Sequence, residues 1–319
     1  MGLLAAAAVA VPLLCSGRPV VDHGARGAYF RKIASVPSAS VLGIRGRGVL
    51  PAVEIRRWSA EKIPLDRPAV FLGGRGAGGL ELDAGLSWER VHDAGGQALL
   101  TNSDDGCDGG DPRRRFAFSG RGDSARLTDG TGAVVARGAP AVMAALSGLR
   151  PDFAFRPFWR PTKKGRHDLN WHNPPLGPDD AYFYPGEAFT MEVRSSGDGR
   201  MSLLVQGEDG PPFAATFEQA GFDGGAPVSF KRNNELDQFK LVDGELQGRE
   251  GRSVIATATR LLDARWEEVV LLERSGSEVP LSGRHCVEVR GVETASTYAR
   301  VYHVWGLSSQ GGESLDITP

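Results

Sequence analysis

Residues 79–91, GLELDAGLSWERV, alternate with a period of two. Leu80, Leu82, Ala84, Leu86 and Trp88 fall on one side, and Glu81, Asp83, Gly85, Ser87 and Glu89 on the other. A helix repeats every 3.6 residues and cannot separate these sets, so the stretch reads as a strand with one apolar face. Such a face must be buried against a second layer.

The same signature recurs along the chain, in segments bounded by Gly, Pro, Asp or Ser. Strands are expected over 28–36, 52–58, 69–74, 97–102, 115–120 and 152–160, with a hairpin turning at Asp129-Gly130. Further strands are expected over 187–195, 200–207, 227–233, 265–274, 284–291 and 297–305. In the hairpin 187–207, Phe189, Met191 and Val193 face Met201, Leu203 and Val205 across the turn SSGDG. Only 139–150, APAVMAALSGLR, reads as a helix. The 43 glycines and 20 prolines suit a chain with many turns. The fold class is therefore all-β: an antiparallel two-sheet, jelly-roll-like sandwich with one short helix. One large domain over 18–319 is expected, and a split near residue 150 is the alternative.

Charge excludes some functions. With 37 basic and 39 acidic residues, no global field selects nucleic acid or an anionic membrane. The opening MGLLAAAAVAVPLLCSG is too short to span a bilayer and matches the apolar core of a signal peptide. Residues 1–17 are thus expected to be a leader, and the protein to be secreted or extracytoplasmic. Removal of that leader leaves Cys107 and Cys286, which permits one disulfide or two buried thiols.

Three groups of residues carry candidate chemistry. On the acidic strand, residues two apart sit about 6.5–7 Å apart on one face. Glycosidase acid pairs use roughly 5–5.5 Å or 6.5–9.5 Å, so Asp83 with Glu81 or Glu89 is a candidate catalytic pair, and a solvated sheet face is the alternative. The connection 161–180 with its preceding strand gathers Trp159, His167, Asp168, Asn170, Trp171, His172 and Asn173. Ring faces beside amide and carboxylate groups suit a sugar; a Trp pinning a long loop is the structural alternative, and the two histidines with Asp168 a less favoured metal set. The loop NSDDGCDGGDP offers Asp104, Asp105, Asp108 and Asp111 as oxygen ligands for Ca²⁺, against a metal-free Asp/Gly turn; no other cofactor is implied.

The strand ELDAGLSW resembles the inner-sheet strand of concanavalin A-like jelly rolls. Laminarinase-like glucanases of that class use Glu-x-Asp-x-x-Glu, and this chain has Gly85 and Leu86 where the second acid belongs. AVFLGGRGAGGLELDAGLSW and YFYPGEAFTMEVRS are similar to segments of the glutamic peptidases. That resemblance, over a third of the chain, implies a shared sandwich; it puts Asp83 where the family has its catalytic Gln and matches no residue to its catalytic Glu. RGDS at 121–124 is expected to be fortuitous. GGRGAGG lacks the Lys-Ser/Thr of a phosphate loop, and no Gly-x-Ser-x-Gly elbow is present. The expected function is extracellular recognition of a glycan or cell-surface polymer. A secreted hydrolase on the same sheet and a structural surface protein are the alternatives.

Overall fold

The computed structural model describes residues 14–21, 28–55, 66–93, 95–161, 172–174, 181–208, 211–238, 240–242, 245–247, 259–290 and 300–319. Two large sheets stack face to face. In the seven-stranded sheet the order is Val20–Val21, Cys286–Arg290, Ala28–Ser35, Ser229–Gln238, Asp66–Arg75, Glu81–Arg90 and Phe153–Pro161. All its pairings are antiparallel except that of Val20–Val21 with Cys286–Arg290. The second sheet has nine strands, running Phe213–Glu218, Arg200–Gly207, Ala188–Ser195, Val41–Val49, Arg260–Glu273, Glu313–Ile317 and Tyr302–Trp305. Ala52–Glu54 and Glu278–Pro280 also pair with Arg260–Glu273.

The core lies between the sheets. Val70, Leu72, Leu82, Ala84, Leu86, Trp88, Phe155 and Phe230 meet Ile44, Met191, Val193, Leu203, Trp266 and Val269 from the opposite layer. The expected hairpin forms, with Met191 opposite Val205 and Val193 opposite Leu203, all fully buried. This is the antiparallel sandwich that the alternation implied.

One strand departs from the sequence reading. Val41–Val49, VLGIRGRGV, which carries three glycines and is not among the expected strands, forms the centre of the nine-stranded sheet. A Cβ on Gly46 would lie 2.4 Å from the Trp266 ring, and one on Gly48 would lie 2.0 Å from the Arg265 carbonyl oxygen. The glycines let a large indole lie flat on the backbone of the neighbouring strand.

Residues between the strands Glu81–Arg90 and Phe153–Pro161 form a lobe of their own. Its five-stranded sheet runs Val134–Arg137, Arg126–Asp129, Arg115–Ser119, Leu100–Thr101 and Arg150–Pro151. The helix Ala139–Ser147 packs Val142 against Phe116, Leu127 and Leu149. Phe153 pairs directly with Arg90, so the lobe leaves and re-enters the sandwich at one point.

The disulfide joins Cys15 to Cys286, with Cα atoms 5.3 Å apart. This corrects the expected Cys107–Cys286 alternative: Cys107 is a buried free thiol, and burial pushes its pKa up. Leu14 and Cys15, inside the expected leader, are 5% and 2% exposed and belong to the main core. No helix among the described residues is long and apolar enough to cross a membrane.

Candidate functional site

Both faces of the strand Glu81–Arg90 are covered. Asp83 and Ser87, on the face turned away from the second sheet, are 4% and 1% exposed. A carboxylate this deeply buried needs charged partners, and cross-strand register supplies them. Asp83 sits opposite Arg160 on one side and Gly73 on the other, and Gly73 sits opposite Lys231. Gly73 has no side chain to intervene, so Lys231 reaches over that strand and places Nζ 2.6 Å from Asp83 Oδ1. Arg160 Nη2 donates to Asp83 Oδ2 from the other flank. Burial alone would raise the Asp83 pKa, but Lys231 and Arg160 together hold the carboxyl well below the usual range. Asp83 is therefore a fixed anion between two cations.

Glu81 flanks this row, half-buried, with Oε2 3.8 Å from Lys231 Nζ. Glu89 lies at the other end of the strand, where its carboxylate accepts from Ser87 Oγ at 3.1 Å. Six residues of strand separate it from Asp83, roughly 20 Å, so the closer acidic neighbour of Asp83 is Glu81. Beside the charged row, Phe71 and Phe158 meet edge to face at 5.8 Å across Gly85. A Cβ at Gly85 would lie 2.5 Å from Phe71 Cα. Steric need thus accounts for Gly85; the glucanase spacing counted from Glu81 puts its second acid at Leu86, which is buried in the core between the sheets. Next in line, Asn233 Nδ2 donates to Glu235 Oε2 at 2.7 Å.

Of the predicted sugar-contacting residues, Trp159, His172 and Asn173 fall within the described structure; His167, Asp168, Asn170 and Trp171 lie outside the described residues. Trp159 and His172 exchange backbone hydrogen bonds of 3.0 and 2.9 Å. Their rings stack at 5.8 Å with 14° between planes, and His172 is exposed. The Trp159 ring also lies near-parallel to Phe217 and Phe213, at 5.8 and 6.3 Å, which joins the edges of the two large sheets. Asn173 Nδ2 donates to the Pro157 carbonyl at 3.0 Å, so its amide anchors the connection to the edge strand.

The four aspartates of the acidic loop do not converge. Asp105, Asp108 and Asp111 each accept the amide hydrogen two residues ahead, from Cys107, Gly110 and Arg113, and Asp104 is exposed. Asp108 turns inward instead and meets Asp152. Among the described residues, Cys107, Asp108 and Asp152 are the one group of three metal-type ligands with donor atoms within 4.8 Å of one another. A cation already stands there: Arg115 Nε is 2.5 Å from Asp108 Oδ2 and 3.3 Å from Asp152 Oδ2. Burial, reinforced by the neighbouring Asp108, raises the Asp152 pKa to about 7.

A third polar cluster fills the space between the large sheets. Glu313 accepts from Arg31 Nε at 2.8 Å and from Arg232 Nη1 at 2.6 Å, and Arg31 also pairs with Glu288. Burial would raise the Glu313 pKa, yet Arg232 and Arg31 hold it at about 2. Sequence reading missed Lys231, Arg160 and this cluster. One signal was available: in SFKRNNELDQ, Lys231, Asn233 and Glu235 alternate with Phe230, Arg232, Asn234 and Leu236, so both faces of that strand carry charge.

No protein-family model and no curated protein sequence matches the chain. Among solved structures it is similar to a Scytalido-glutamic peptidase bound to a peptide-based transition-state analogue, with 9% identity and a TM-score of 0.41 over 92% of this chain and 98% of that one. It is also similar to SCP-B, an eqolisin-family peptidase in complex with Ala-Ile-His, with 9% identity and a TM-score of 0.39 over 90% and 97% of the two chains. An alginate lyase from Klebsiella pneumoniae is similar at 10% identity and a TM-score of 0.21, over 75% and 64%. Likeness of this degree transfers no activity.

Proposed function

We propose that this protein is an extracellular β-sandwich that recognises a carbohydrate or cell-surface polymer at the edge of its seven-stranded sheet. The observation that carries the reading is the exposed His172 ring stacked on Trp159 at the edge of the sheet. The Arg160–Asp83–Lys231 row lies on the opposite face of that sheet and is not part of this surface. An exposed ring at a sheet edge offers an apolar face on which a sugar stacks, and the imidazole of His172 offers a hydrogen-bonding group beside it. Held ionised by Lys231 and Arg160, Asp83 is not suited to donate a proton as a general acid. His167, Asp168, Asn170 and Trp171 lie outside the described residues and are proposed as ligand contacts on the sequence alone. A disulfide fits the oxidising compartments in which secreted proteins fold.

The test is retention on a panel of soluble polysaccharides by affinity electrophoresis. His172→Ala is expected to weaken retention about fivefold, the value of one ring contact near 1 kcal/mol, and to leave the melting temperature unchanged. The second reading, a hydrolase using Asp83 and Glu81, is favoured by one feature: both acids leave the same strand face within reach of Lys231. Release of reducing ends or peptides by the native protein between pH 2 and 8, abolished in a folded Asp83→Asn variant, would replace the first reading with the second.

A further inference from the structure

The amino-terminal segment is built into the sandwich. Ser16 N–H donates to the Gly283 carbonyl at 2.8 Å, and Gly283 N–H donates to the Leu14 carbonyl at 2.9 Å, so Cys15 pairs with Gly283 in parallel fashion. Val20–Val21 continues in the same direction along Val289 and Arg290. Leu14 packs in the main core with Leu281, and the Cys15 sulfur is bonded to Cys286, which opens the strand Cys286–Arg290. A cut near Gly17 would delete Leu14 and Cys15 and leave the Cys286 thiol 2% exposed without its partner. A lipid attached to Cys15 would use the same sulfur that Cys286 occupies.

We propose that processing of this chain stops upstream of Leu14, so that Cys15 is kept on the mature protein as a disulfide partner and is neither removed nor acylated. The disulfide is closed by a protein or small-molecule disulfide oxidant. The Cys15 and Cys286 thiols give up two protons and two electrons, the bond forms between their sulfurs, and the oxidant leaves as a dithiol. Cys107 stands between them in sequence, so where successive cysteines are oxidised before the chain folds, Cys15 is joined to Cys107 first. Attack of the Cys286 thiolate on the Cys15 sulfur then releases Cys107 as a thiolate, which takes up a proton and is buried. A disulfide-exchanging oxidoreductase is the class of partner this requires when oxidation precedes folding.

The experiment expresses the full chain with its own amino terminus in an exporting bacterial host. The purified protein is alkylated while native and mapped by mass spectrometry without reduction. A first residue at or before 14, a Cys15 peptide linked to a Cys286 peptide, and Cys107 alkylated only after denaturation are expected. A first residue at 15 or later, an acyl group on Cys15, or a Cys107–Cys286 peptide would each overturn the proposal. As a second measurement, a chain beginning at Arg18 is expected to melt well below one beginning at Leu14, and equal melting temperatures would also overturn it.

Discussion

Two glycines decide what the outer face of the seven-stranded sheet can hold. Gly73 is the gap through which Lys231 reaches Asp83, and Gly85 is the gap over which Phe71 and Phe158 touch. A Cβ at Gly73 would stand 2.1 Å from the Leu82 carbonyl oxygen and 3.0 Å from Lys231 Cε. Gly73→Ala is therefore expected to destabilise the protein by about 3 kcal/mol, the upper range for overpacking, read from the urea midpoint. Asp83→Asn leaves two cations facing a neutral amide and is expected to cost about 3–5 kcal/mol. In a double-mutant cycle, Lys231→Met is expected to cost much less in the Asp83→Asn background than in the native protein. Additive losses would show that the pair is not coupled.

At the scale of single elements, the sequence disclosed those strands whose two faces differ and concealed those whose faces match. Residues 187–207 were legible because apolar and polar side chains alternate and the turn is marked by Ser, Gly and Asp. Val41–Val49 was concealed because its glycines answer to Trp266 and Phe189, which are far away in sequence and invisible to local pattern. Gly46→Ala is expected to push Trp266 off the strand, detectable as a change in near-ultraviolet circular dichroism together with a lower melting temperature. The lobe is braced internally by a device that pattern could not show. The Asp108 N–H donates to Asp152 Oδ1 at 2.9 Å, and Arg115 spans both carboxylates. With its pKa raised to about 7 against an ordinary value near 3.8, folded Asp152 keeps a proton that the unfolded chain releases. Stability is therefore fully present below about pH 4 for this group and declines as pH rises to 7. Glu313 acts in the opposite sense, and its contribution is lost as pH falls from about 4.5 toward 2. Melting temperature is expected to rise on acidification from pH 8 to pH 5, and Asp152→Asn is expected to flatten that slope.

For the molecule as a whole, the two-layer architecture was readable because burying one face of each strand is a local demand repeated many times. The candidate site was readable only at Asp83, Trp159 and their sequence neighbours. Its cations come from strands distant in sequence, and nothing in either strand alone shows that Gly73 lets Lys231 pass. The Cys15–Cys286 bond acts at this scale too. It closes a loop of sequence separation 271, for which chain entropy predicts about 5.6 kcal/mol of stabilisation. Cys286→Ser is expected to lower the unfolding free energy by no more than that, measured by guanidinium titration beside the reduced native protein. The same bond also changes how the molecule bears load. Pulled between Leu14 and Pro319, a chain of this length without a cross-link would pay out its whole contour, but here the covalent ring carries the force. Only residues 287–319 can straighten, giving roughly 110 Å of extension. A protein tethered at both ends would therefore behave as a short leash on a closed body, with the chain inside the covalent ring out of the load path while residues 287–290, Tyr302–Trp305 and Glu313–Ile317 peel away.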